Sequence, residues 1–181
     1  MNKIFKASDL FNVPDGTKVA SLFSSTDLLS NAAASKESLS IAIGEIPPGT
    51  KSKIHVHPVV SQVTFVLDGA ISIYMKDRFS SEKYKLEMKK SEAVLTQEGT
   101  FFQLVNESDD ICRVIYIVTP EFLFEAIDGE VTYNDAIVLE EDWEDLARLN
   151  WNPPELKSLN DAAESRKKAL ERVLLRKSPV R

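Results

Sequence analysis

Apolar and polar residues alternate with a period of two through most of the first two thirds of the chain. Leu39, Ile41 and Ile43 alternate with Ser40 and Ala42, the pattern of a strand with one buried face. Val63 to Leu67 leads into Asp68-Gly69, a common hairpin turn pair, and Ala70 to Met75 is the return strand. Lys85 to Met88, Ala93 to Thr96, Phe101 to Val105 and Cys112 to Val118 are four further short runs. Turn candidates at Lys90-Ser91, Glu98-Gly99 and Asn106 to Asp110 separate them. Lys18 to Phe23 is a strand-like run after the Pro14-Asp15-Gly16 turn, and Pro47-Pro48-Gly49 forces another reversal. Short strands at close spacing without a long helix predict an all-β fold, an antiparallel sandwich or barrel over about 17–120. The Ser-, Ala- and Asn-rich stretch 24–37 reads either as a brief helix or as a loop over a pocket.

After Thr119-Pro120 the pattern changes. The acids between Glu125 and Asp145 read as solvated surface, with Phe122, Leu123 and Phe124 as a packing patch. Asn152-Pro153-Pro154 reads as a helix start. Leu156, Leu159, Ala163, Leu170, Val173 and Leu174 then share one face of a helical extension over about 152–178, whose far end is basic and includes Arg166 and Arg172. The expectation is a single domain over 1–181.

With 181 residues, 43% apolar, the chain can bury one sizeable core. A net charge of −6 argues against a nucleic-acid groove or an anionic membrane surface as main partner. No run is long enough to span a bilayer and the first residues do not read as a signal peptide, so a cytoplasmic protein is expected. The single Cys112 excludes an internal disulfide and a cysteine-based zinc cluster, and reads as a small core residue.

The chemistry gathers in one segment. The chain's two histidines, His55 and His57, lie two apart in a β-like stretch, so both imidazoles point to one side. Gln62 follows four residues on with an amide oxygen, and Gly49 and Gly69 bracket the segment. This spacing resembles the first motif of the cupin superfamily, Gly-(five)-His-x-His-(three or four)-Glu-(six)-Gly, with Gln62 at the glutamate. The second motif is degenerate: Gly99 and Asn106 match, while Ser91, Gln97 and Phe102 stand at the first glycine, the proline and the ligand histidine. The resemblance implies a cupin jelly roll, an antiparallel double-stranded β-helix, with the helical extension added at the C-terminus. It also implies a divalent transition ion (iron, nickel, manganese or zinc) on His55, His57 and Gln62, and a homodimer formed by strand or helix exchange.

Pleat parity adds further candidates. Thr64 shares the face of Gln62, Ser72 pairs with Tyr74 on the return strand, and Tyr116 opposes an outward Arg113. Tyr74 and Tyr116 are the acid/base candidates. Lys53, with the parity of the histidines, is a candidate for an anionic substrate, and Thr64, Ser72, Phe102 and Gln103 are the other substrate-binding candidates. The resulting expectation is a metal-assisted enzyme acting on an oxygenated small molecule by isomerisation, cyclisation or ring opening. Ferrous dioxygenation is the nearest enzymatic alternative. A metal-free cupin that binds or senses a small ligand is the alternative of a different class, favoured by the missing fourth ligand.

Overall fold

The structure is a computed structural model that describes residues 4–25, 38–127 and 130–177. Most of the 24–37 segment read above as a helix or lid, from residue 26 on, lies outside the described residues. So do the side chains of Leu159, Val173 and Leu174 on the expected helix face.

Thirteen strands are present among the described residues: β1 (Phe11–Asn12), β2 (Lys18–Ser24), β3 (Ser40–Ile46), β4 (His55–Val56), β5 (Ser61–Asp68), β6 (Ala70–Lys76), β7 (Lys83–Lys89), β8 (Ala93–Thr96), β9 (Phe101–Val105), β10 (Cys112–Thr119), β11 (Phe124–Ile127), β12 (Glu130–Tyr133) and β13 (Ile137–Val138). One sheet runs β1-β2-β3-β10-β5-β8 and the facing sheet β13-β4-β9-β6-β7, every pairing antiparallel; β11 and β12 form a separate hairpin. This is the expected jelly roll.

Each sheet turns one apolar set inward. On β5 and β10 the buried members are Gln62, Thr64 and Val66, and Cys112, Val114, Tyr116 and Val118. Ile71, Ile73 and Met75 of β6 meet them from the facing sheet, with Phe102 and Leu104. Two glycines make the packing possible. Gly69 turns the β5–β6 hairpin at φ +83°, a left-handed conformation that costs glycine little. Gly44 lies against the Tyr116 ring, where a Cβ would come within 2.6 Å of Cε2.

Among the acids between Glu125 and Asp145 read as solvated, Glu130, Glu140, Asp142 and Glu144 are exposed and Asp135 is buried, and the stretch after Pro120 is more than surface. It folds back over the barrel, with β13 extending the second sheet beside β4 and α1 (Trp143–Arg148) capped by Asp142. Leu139 and Leu146 pack with Ile54 and Phe101 as a second core on the outer side of β4. A 3-10 segment (Pro154–Asp161) leads into α2 (Ala162–Lys177). The inner end of α2 is held by Arg166. Its guanidinium pairs with the buried Asp135 and donates to the Glu121 carbonyl at 2.7 Å. Asp135 also accepts from the backbone N–H of Leu123 at 2.7 Å, so α2 clamps the 121–124 segment. Among the described residues no helix is long and apolar enough to cross a membrane.

Candidate functional site

The barrel encloses a cavity of about 300 Å³. Its apolar wall comes from Val13, Val19, Leu104, Val118, Phe122 and Leu123, and its polar groups are Asp15, Thr17, His55, His57, Gln62, Tyr116 and Tyr133, with three serines toward one end. No lysine or arginine lines it among the described residues.

His55 stands on β4 and His57 just beyond it, with ring centroids 5.5 Å apart. Both are nearly inaccessible, and the Phe102 ring packs against both, 4.0 Å from His55 and 5.0 Å from His57. The position of His57 is fixed by its carbonyl, which accepts from Gly99 N–H at 2.8 Å, and by Phe122 at 5.3 Å. Burial, followed by the neighbouring His55, holds the His57 pKa well below 6.5, so the ring is neutral at pH 7. Its Nδ1 has no hydrogen-bond partner among the described residues.

The state of His55 follows from its contacts. Its Nδ1 lies 3.0 Å from the Lys53 carbonyl oxygen, and a carbonyl only accepts, so Nδ1 carries the proton. In the neutral ring Nε2 is then a bare lone pair. It faces Asp15 Oδ2 at 3.8 Å. The other carboxylate oxygen of Asp15 is engaged, accepting from Thr17 N–H at 2.9 Å and Thr17 Oγ1 at 2.7 Å. When His55 is neutral these two acceptors face each other, and the Asp15 carboxylate also accepts a hydrogen bond from the Tyr133 hydroxyl. Tyr116 and Tyr133 both have their pKa raised by burial and then by the Asp15 charge, so they remain protonated and serve as donors.

Tyr116, Gln62, His55 and His57 lie together on the cavity, and Thr64, fully buried beside it, accepts from Gln62 Nε2 at 3.1 Å. Phe102 is the apolar packing partner of the histidines. Four candidates lie elsewhere. Ser72 and Tyr74 are on the outer face of β6, where both donate to Glu107, because Ile71, Ile73 and Met75 take the inner face. Gln103 also points outward, donating to the Ser52 carbonyl and accepting from Trp143 Nε1 at 2.9 Å. Lys53 does not follow the parity of the histidines, because the strand begins only at His55; it is about half exposed and pairs with Glu140.

Sequence reasoning missed Asp15 and Tyr133. Asp15 read only as a turn residue, and Tyr133 lay in the stretch taken for surface.

The sequence profile described as "Cupin domain" matches residues 42–118, spanning both histidines, Gln62 and the degenerate second motif. Residues 42–118 form a cupin domain. A solved structure agrees at the level of fold. The cupin resembles protein SO0799 from Shewanella oneidensis with a TM-score of 0.57 and 17% identity, over 72% of this chain and 78% of that one. The crystal structure of Drosophila melanogaster CENP-C bound to CAL1 gives 0.49 and 14%, over 61% and 75%. KdgF from Halomonas sp. gives 0.48 and 18%, over 65% and 94%. At 17% identity the likeness to SO0799 extends to the fold alone. No curated protein matches the chain.

Cupin membership raises the question of a metal, and the donor set answers it. A resident transition ion takes three or more protein donors around one point. This cupin offers three, the minimum: two imidazoles and a neutral amide with no anionic donor among them, and the Phe102 ring packs against both imidazoles. Among the described residues no three His, Cys, Asp or Glu side chains gather into a group that would hold an ion. The iron, nickel, manganese or zinc expected on His55, His57 and Gln62 would rest on two imidazoles and one neutral amide, a ligand set without a carboxylate.

Proposed function

We propose that this cupin performs metal-independent acid–base chemistry, of the isomerase or cyclase kind, on a small apolar molecule carrying a hydroxyl or amino group. The observation that carries this reading is the opposition of His55 Nε2 and Asp15 Oδ2 inside an apolar cavity. A substrate amino group beside these two acceptors can donate to both and a hydroxyl to one of them, and an anionic group is repelled by Asp15 with no cation on the described lining to offset it.

The chemistry follows from the states of the side chains. Neutral His57 accepts a proton from a carbon next to a carbonyl of the substrate, leaving an enolate, and returns that proton to a neighbouring carbon or oxygen to complete the isomerisation. The Tyr116 hydroxyl, which stays protonated at neutral pH, donates to the developing oxyanion, while Tyr133 bonds the Asp15 carboxylate. The closely packed Phe102 and Phe122 rings keep water from the His57 imidazole. An oxygen-activating reaction would need an ion, for which the donor set lacks a carboxylate.

Deuterium exchange tests this reading without knowledge of the natural substrate. In deuterated buffer, chelator-treated protein is expected to exchange the proton next to the carbonyl of a compact hydroxyketone such as 2-hydroxyacetophenone faster than buffer alone, and His57→Ala to lose the acceleration. Exchange unaffected by His57→Ala, or dependent on added metal, would overturn it.

A further inference from the structure

The cavity has two polar ends, and the strand register separates them. Gln62, Val118, Ser40 and Ser24 form one row across β5, β10, β3 and β2, and Val66, Val114, Gly44 and Val19 form another. Ser40 and Gly44 are four positions apart on β3, so at the usual strand rise the rows stand about 13 Å apart. Asp15 lies in the turn that leads into β2, which places the Asp15–His55 pair at the Val19 end. Tyr116 and Ala42 stand in the row between, with Ser21 beside them.

The opposite end is lined by Ser21, Ser24 and Ser40. Ser21 shares the parity of Val19, and Ser40 that of Gly44 and Ile46, so both side chains turn inward. Their hydroxyls are not equivalent. Ser24 donates to the Glu121 carboxylate at 2.6 Å. Ser40 Oγ accepts from the Phe122 N–H at 2.9 Å, which leaves its own hydrogen to donate. Ser21 is bound through its backbone alone, to Ser8. An independent feature marks the same space. The Phe122 ring packs on the His57 imidazole at 5.3 Å, and His57, only 3% exposed, keeps Nδ1 without a partner among the described residues. Two spare hydroxyl donors and a bare imidazole nitrogen thus meet one cavity end.

We propose that this end is a second recognition subsite, in which Ser21 and Ser40 donate to a neutral oxygen of the substrate. The inference rests on the acid–base reading above and narrows its substrate to a two-headed molecule. An amino group lies at Asp15 and His55, a neutral oxygen at the serines, and the reacting carbons between them, at the level of Tyr116. The Glu121 carboxylate behind Ser24 disfavours an anionic oxygen here, and no cation on the described lining offsets it. Amino ketones and amino ethers fit both ends, whereas amino acids fit only one.

Calorimetric titration of chelator-treated protein with 4-methylbenzylamine and 4-acetylbenzylamine tests the proposal, because the two share an amine and a ring and differ in one carbonyl. Wild type is expected to bind the acetyl compound about tenfold tighter, the worth of one to two net hydrogen bonds. Ser21→Ala and Ser40→Ala are each expected to cut that ratio to about threefold, and the double variant to about one. The carboxylate analogue 4-(aminomethyl)benzoate is expected to bind more weakly than either. Ser21→Ala removes a hydroxyl that bonds no protein group, so it keeps the test intact if Ser40→Ala disturbs the Phe122 backbone. Equal affinities in wild type would overturn the subsite while leaving the Asp15 reading in place. A ratio unchanged in the folded Ser21→Ala variant, or tightest binding by the carboxylate, would also overturn it. Failure of both amines to bind would bring down the Asp15 reading, and the subsite with it.

Discussion

The Phe102 ring lies 4.0 Å from the His55 imidazole and also contacts His57, so an apolar ring holds the two histidines where another donor would otherwise stand. The substitution Phe102→His restores a third imidazole at that position. After dialysis against nickel or zinc and removal of free ion, Phe102→His protein is expected to retain close to one equivalent, and wild type well under one. Stoichiometric retention by wild type, measured by mass spectrometry, would show that the carboxylate-free donor set described above suffices to hold an ion.

Asp15→Asn keeps the oxygen that accepts from Thr17 and replaces the acceptor facing His55 with an amide donor. The Asn N–H₂ can donate to His55 Nε2 and close the gap without a ligand. Affinity for an amine-bearing ligand is expected to fall at least tenfold, equivalent to about 1.4 kcal/mol, while the melting temperature changes little. Calorimetric titration checks this; equal affinity in the two proteins would remove Asp15 from the binding account.

Arg166 is the cation between α2 and the cavity wall. Arg166→Ala leaves Asp135 buried and unpaired, which typically costs about 3 kcal/mol or more. Burial already raises the Asp135 pKa, and loss of the guanidinium is expected to raise it further. Urea unfolding is expected to show the loss at neutral pH and a smaller one in acid, where Asp135 is neutral. A shift below about 1 kcal/mol would place Arg166 among ordinary surface pairs.

The depressed pKa of His57 gives its effect on stability a definite sign. Above pH 6.5 the ring is neutral in both folded and unfolded chains, and its contribution is complete. As the pH falls through 6.5 the unfolded chain takes up a proton that the folded one refuses, and stability drops until the lower folded value is reached. His57→Gln removes this dependence. Between about pH 7 and pH 5.5 wild type is therefore expected to lose more stability than the variant. Parallel pH profiles would show that His57 is not buried in its neutral form.

Much of the barrel was legible because period-two alternation survives wherever a strand has one wet face, as on β5 and β10. The glycine and histidine spacing marked β4 and the turns around it. Side-chain direction failed where an apolar set competed with the residues of interest. Ile71, Ile73 and Met75 claim the interior of β6 and turn Tyr74 and Ser72 outward. It failed again at Lys53, where the pleat is broken before His55, and at Gln103, which faces the Trp143 cover. The acidic stretch looked solvated because its charges outnumber its apolar residues, yet Leu139 and Leu146 suffice to close the outer side of β4. Asp15 was unreadable for a different reason: its partner His55 lies 40 residues on, and only the folded barrel brings them together.

The most direct measurement is nitrogen-15 NMR of the two imidazoles in chelator-treated protein, titrated with benzylamine, benzyl alcohol and benzoate. These probes share a ring and differ in supplying three donors, one donor and none at neutral pH. The account predicts His55 protonated at Nδ1, His57 neutral, and a saturable shift of His55 Nε2 with benzylamine and benzyl alcohol but not with benzoate. Preferential binding of benzoate, or His55 Nε2 unmoved by any of the three, would contradict it.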